Sequence, residues 1–258
     1  MNRWRRFETA IVSLGLAPVL LAVCFPQPLG AKERLTVWDL KLGSSLDQMP
    51  PVIEFKGYAC GSNGGPPRQR LKGWSDFKLC QPEASGLYEV YFEYDDEAEY
   101  IARAHEDARL GRDIGTVDKS FPVVTSALFD GTGTLRGIRL VTDARWEQKP
   151  DNEWANLRSR EEHYLLAAYL AGQFHLSFET DCVNLPLEAG ESAIGKQAVK
   201  RDCEKVDPAA NRRYVIQQRL FRKEGQSGRD PHTGALTQGQ YISLTRAEVY
   251  LADMPDAD

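Results

Sequence analysis

The sequence predicts an α+β fold: a mainly antiparallel β-sheet packed against two principal helices, with two disulfides stapling the loops. Three observations predict it. Runs of β-branched and aromatic residues come in blocks joined by turns, most clearly in "FPVVTSALFDGTGTLRGIRLVTD" at 121–143. Two segments, 95–111 and 150–172, switch to a three- and four-residue apolar period. Four cysteines fall in two close pairs, Cys60 with Cys80 and Cys182 with Cys203.

The chain opens on "MNRWRRF", which places Arg3, Arg5 and Arg6 ahead of the apolar run "AIVSLGLAPVLLAVCF". Basic, apolar and short polar segments in that order are the pattern of a secretory signal peptide. Pro18 interrupts a run already shorter than the roughly 20 apolar residues of a membrane span. The expectation is therefore a leader over 1–31, cleaved near Ala31, and a single domain over 32–258 with no transmembrane segment, located in the periplasm or secreted. Lipidation at Cys24 is the alternative, although "LAVC" puts Val23 where such a signal takes Gly or Ala.

Of 32 basic and 37 acidic residues the leader takes three Arg and one Glu, leaving 29 and 36 and a formal charge of −7. An acidic balance without a long basic run argues against nucleic acid and anionic membranes as partners. In an oxidising compartment the four remaining cysteines read as disulfides. Proximity favours Cys60–Cys80 and Cys182–Cys203, each closing a loop worth about 3 kcal/mol in the chain-entropy model. A zinc site is the rival, but there is no C-x-x-C and no histidine at ligand spacing near either pair, so neither metal nor cofactor is expected.

Taken in order, "RLTVWDLKL" at 34–42 reads as a strand and "GSSLDQM" at 43–49 as a short helical turn stopped by Pro50 and Pro51. The stretch "LGSSLDQM" resembles the opening of small periplasmic helix-plus-sheet modules such as β-lactamase-inhibitor-like domains; the resemblance covers those residues alone. "GLYEVYFEY" at 86–94 is a strand. The helix at 95–111 starts at Asp95 or Asp96 and stops at Gly111. The two runs at 121–143 turn back at Asp130, Gly131 and Gly133 as a β-hairpin. Asp151 opens the second helix, whose Trp154, Leu157, Tyr164, Ala168 and Ala171 should lie on the sheet. Residues 177–210 are polar and read as irregular, and 212–221 and 239–252 are late strands joined by an exposed loop. A helix, later strands and a cysteine pair occur in each half, which suggests a weak two-half pseudo-repeat.

Several clusters carry chemistry in principle. Glu93, Asp95, Asp96, Glu97 and Glu99 have the oxygen-rich character of calcium sites, but without EF-hand spacing they read as the start of a helix. Asp130 opens a glycine-rich loop in which Thr132 and Thr134 stand where calcium ligands would be, so a turn is the better account. Ser75 and Lys78 match S-x-x-K without its companion K-T-G, and neither G-x-S-x-G nor H-E-x-x-H occurs. The histidines are His105, His163, His175 and His232; His163, after Glu161 and Glu162, is the candidate acid–base group.

The stretch "CGSNGGPPRQRLKGWSDFKLC" is the remaining candidate. Arg68, Arg70 and Lys72 place positive charge on a glycine- and proline-rich backbone, and Trp74 offers an aromatic anchor. Two readings stand: a recognition surface, or a stapled connection with its aromatics tucked beneath. The functional expectation is an exported, non-catalytic protein that binds a protein or small-molecule partner through its stapled loops. The alternative is an exported enzyme, a hydrolase using His163 with carboxylates from elsewhere in the fold.

Overall fold

In the computed structural model the described residues are 35–93, 116–117, 121–143, 163–225, 227–229, 236–238 and 241–253. Strands β1 (Lys56–Cys60), β2 (Tyr88–Glu93), β4 (Phe121–Phe129) and β5 (Leu135–Thr142) build one side of a ten-stranded antiparallel sheet. Strands β6 (Cys182–Asn184), β8 (Val199–Asp207) and β9 (Arg212–Lys223) build the other. The last strand, β12 (Tyr241–Leu251), joins the two sides in the order β1-β2-β4-β5-β12-β9-β8-β6. Short β3 (Thr116–Val117) pairs with β4, and β7 (Glu191–Ser192) with β9. A separate hairpin forms from β10 (Ser227–Arg229) and β11 (Leu236–Gln238). The strand that completes the sheet is thus the last one made, paired with β9 from Tyr241↔Arg222 to Leu251↔Arg212 and with β5 from Arg246↔Val141 to Tyr250↔Gly137.

The α+β expectation is corrected by this architecture, which is mainly β. Among the described residues there is one α-helix, α1 (Leu166–Gln173), led by a 3-10 turn at His163–Leu165. The expected helix at 95–111 and the first part of that at 150–172 lie outside the described residues. Three segments account for further differences. Residues 34–42, expected as a strand, instead contain a 3-10 turn at Val37–Asp39, closed by a capping box in which the Thr36 hydroxyl accepts from Trp38 N–H and Asp39 accepts from Thr36 N–H. Within 177–210 the polar residues form β6, β7 and β8, with β8 zipped along β9 from Val199↔Leu220 to Asp207↔Arg212. The exposed loop expected between the late strands carries the β10–β11 hairpin.

Alternation sorts the sheet into two faces. On one face Val90, Phe92, Ala127, Phe129, Ile138, Leu140, Ala247, Val249 and Ile216 are buried in a continuous core. Helix α1 lies on that face through Leu166, Ala167, Leu170 and Ala171. Its first turn is fixed by polar groups of the sheet: Thr245 Oγ1 accepts from Ala167 N–H at 3.1 Å and donates to the His163 carbonyl at 2.8 Å, and Gln218 Nε2 donates to the Tyr164 carbonyl at 2.8 Å. The bond from Ala167 N–H answers one of the donors that a helix start leaves without a partner inside the helix. The expected hairpin is present as β4–β5: Asp130 Oδ1 accepts from Thr132 N–H at 2.9 Å and Thr134 N–H at 3.1 Å, and Gly133 takes φ +87°.

Candidate functional site

The segment between β1 and β2 is fixed from three directions. A disulfide joins Cys60, at the end of β1, to Cys80, just past the 3-10 helix Trp74–Leu79. The chain returns beside β1: Arg68 N–H donates to the Cys60 carbonyl at 2.8 Å, Cys60 N–H to the Gln69 carbonyl at 2.8 Å, and Leu71 N–H to the Tyr58 carbonyl at 2.9 Å. Trp74 supplies the third attachment. It is 3 % exposed, packs edge-on against Tyr58 at 4.7 Å and Phe92 at 5.1 Å, and donates from Nε1 to the Pro50 carbonyl at 3.1 Å.

Arg68, Arg70 and Lys72 are all exposed. Leu71 turns inward against the core, which leaves Arg70 and Lys72 on the solvent side. Lys72 N–H donates to Asp76 Oδ2 at 2.8 Å, fixing the backbone where the loop enters the 3-10 helix. Of the four residues singled out from the sequence, three form an exposed basic row and Trp74 is the core anchor beneath it.

The loop tip is clamped to the second face of the sheet by charges that sequence reasoning missed. Arg139 of β5, with 4 % of its side chain exposed, lies amid three carboxylates. Its Nε donates to Glu248 at 2.5 Å, its Nη1 and Nη2 to Glu83 at 2.5 and 3.0 Å, and Nη1 lies 3.2 Å from Glu89. Glu89 Oε2 accepts from Asn63 N–H at 2.5 Å, and Arg246 donates to the Asn63 carbonyl at 3.1 Å while pairing with Glu248 at 2.6 Å. Gly64 takes φ +81°, and a Cβ there would fall 2.4 Å from Val141 Cγ2, so the backbone lies directly on the strand.

Electrostatically this is a closed network. Burial alone would push the Glu248 carboxyl up, but the guanidiniums of Arg139 and Arg246 outweigh it and hold the group below the usual carboxylate range. Burial would likewise lower Arg139, yet bonding to Glu83 and the charges of Glu248, Glu89 and Glu83 keep it above its ordinary value. Burial also raises the Tyr250 phenol, with the Glu248 charge adding to the effect. A network so fully paired positions a loop. Its sequence signal is modest: Glu89, Arg139, Arg246 and Glu248 are charges set inside otherwise apolar strands, where a solvated strand face would show a full polar alternation.

The other candidates are spread apart. His163 is 2 % exposed, on the face that holds α1. His175 has φ +51° and its carbonyl accepts from Lys205 Nζ. His105, His232, Asp95, Asp96, Glu97 and Glu99 lie outside the described residues; Glu93, at the end of β2, accepts from Tyr91 Oη at 3.0 Å. Ser75 is exposed, and the Lys78 ammonium stands 5.7 Å from the centre of the Phe77 ring. The second disulfide, Cys182–Cys203, links directly opposed residues of β6 and β8. Among the described residues no group of three or more His, Cys, Asp or Glu is arranged to hold a metal ion, and no helix is long and apolar enough to cross a membrane. No family model, curated protein or solved structure matches the chain.

Proposed function

We propose that the protein is exported and works as a non-catalytic binding protein, presenting Arg68, Arg70 and Lys72 on the stapled loop to an acidic partner. One observation carries the reading: three exposed cations ride on a backbone held by a disulfide, by hydrogen bonds to β1 and by the Arg139 network. A recognition loop fixed in this way loses little conformational entropy on binding. The disulfides agree with an oxidising compartment. Local charge also sets a specificity, because the expected mature chain is acidic overall and its net charge would repel a polyanion that a focused basic patch attracts.

The test is retention on immobilised polyglutamate at low salt. Wild-type protein is retained and elutes as salt rises, whereas Arg68→Ala/Arg70→Ala/Lys72→Ala passes through with unchanged melting. Passage of the wild type at low salt would remove the basic row as an anion-recognition surface.

A further inference from the structure

On the opposite face of the sheet from the loop clamp, the apolar core opens into a pocket of about 360 Å³. Three aromatic rings line it beside the polar side chains of Lys41, Gln173 and Arg212. Phe174, just past α1, stacks on Tyr214 of β9 with ring centres 4.8 Å apart, and Trp38 meets Phe174 edge-on at 5.9 Å. Ile138 and Val249, both in the buried core, form the floor from β5 and β12. Trp38 is 42 % exposed, which is unusual for the largest side chain of a chain that buries its other described tryptophan to 3 %.

Two cations stand at the rim, Lys41 and Arg212. Arg212 Nη1 donates to the Asn211 carbonyl at 2.9 Å. Asp207 is the cross-strand neighbour of Arg212, but its carboxylate accepts from Ala210 N–H at 3.0 Å within its own turn. Among the described residues neither Lys41 nor Arg212 has a carboxylate partner in a salt bridge. This contrasts with Arg139 of β5, Arg246 of β12, Arg213 and Arg219 of β9 and Lys200 of β8, which are all paired with acids. Burial, with the Asp207 charge adding to it, holds the Tyr214 phenol above its usual pKa, so it stays neutral and able to donate.

We propose that this pocket binds a small amphipathic carboxylate, its apolar or aromatic body against Trp38, Phe174 and Tyr214 and its anionic head between Lys41 and Arg212. The volume lies at the lower end of ligand sites, which run from about 300 to 1,000 Å³, and admits a single ring or a short alkyl chain. Apolar walls with a few convergent polar groups are the usual composition of such sites. Charge complementarity selects the anion: the two cations, without a carboxylate partner among the described residues, favour a carboxylate over its neutral isostere. The site shares no residue with the basic row of the loop, so it stands or falls separately from the proposed function.

The experiment is calorimetric titration of the full mature protein with 4-phenylbutyrate, octanoate and the neutral 4-phenylbutyramide. At least one carboxylate binds saturably, and phenylbutyramide binds about tenfold or more weaker than phenylbutyrate, the factor expected when one charge-assisted hydrogen bond is lost. Lys41→Met/Arg212→Gln abolishes that preference while leaving amide binding unchanged. Trp38→Ala, at an exposed wall position, weakens acid and amide together, and the triple loop variant binds both as wild type does. No saturable binding of either carboxylate into the millimolar range, or an undiminished preference for the acid in the Lys41/Arg212 variant, would overturn the proposal.

Discussion

Replacing Arg139 with Met removes one charge from the point where the sheet holds its loop. Methionine keeps the length of the side chain but leaves Glu83, Glu89 and Glu248 facing one another, with Arg246, 2.6 Å from Glu248, the one cation paired with them among the described residues. Removing one partner of a buried ion pair costs about 3–5 kcal/mol, because the abandoned charges stay desolvated. With a urea dependence of about 3 kcal/mol/M for a chain of this size, the midpoint should fall by about 1–2 M. The pH dependence identifies the cause. The folded Glu248 carboxyl is depressed, so in wild type its contribution is present above the unfolded pKa, about 4.3, and is lost as pH falls through the lower folded value. In Arg139→Met the crowded carboxylates disfavour ionisation, and acidification relieves them. The deficit of the variant should therefore be largest near neutral pH and shrink toward pH 4, measured as urea midpoints by circular dichroism. A deficit under about 1 kcal/mol at neutral pH, the size of an exposed pair, would refute the reasoning, as would a deficit that is the same at both pH values.

Trp74→Ala should cost about 3–5 kcal/mol as a buried aromatic truncation, whereas each Ala replacement at Arg68, Arg70 or Lys72 should cost less than about 1 kcal/mol; paired thermal melts separate the two classes. Gly137→Ala would put a Cβ 2.5 Å from the Tyr250 ring, which lies across the glycine, and should destabilise by about 1–3 kcal/mol by urea titration. Cys60→Ser/Cys80→Ser should lose about 3 kcal/mol and increase hydrogen exchange at the loop amides of 61–72. Ser126, fully buried with no hydrogen-bond partner for its hydroxyl among the described residues, should tolerate Ala with an unchanged or raised melting temperature.

What was legible followed local pattern. The β4–β5 hairpin shows in the sequence because Asp130 and Gly133 supply turn chemistry between two apolar runs, and β9 and β12 show because they are long and rich in strand formers. The cysteine pairing was legible from proximity. Strand β8 was not: only Cys203 in it is buried, so its partner β9 decides its conformation more than its own alternation does. Val37 and Leu40 looked like part of an alternating strand, yet they point inward from a capped turn, three residues apart. The basic row was readable as charge on a stapled loop. Its support was not, because Arg139 and Glu248 are 109 residues apart and meet only once β12 enters the sheet between β5 and β9. For Trp74 the sequence left two readings open, an aromatic anchor beside the basic residues or a ring tucked beneath the stapled loop, and burial of the indole in the core answers to the second.

The central claim is that the stapled loop is a rigid recognition surface and its basic row is the part that binds. It is tested most directly by comparing what wild type and Arg68→Ala/Arg70→Ala/Lys72→Ala capture from cell-envelope extract, with both proteins shown to melt alike. The account predicts at least one acidic component enriched by the wild type and lost by the variant, with capture weakening as salt is raised. Identical capture by the two proteins would contradict it.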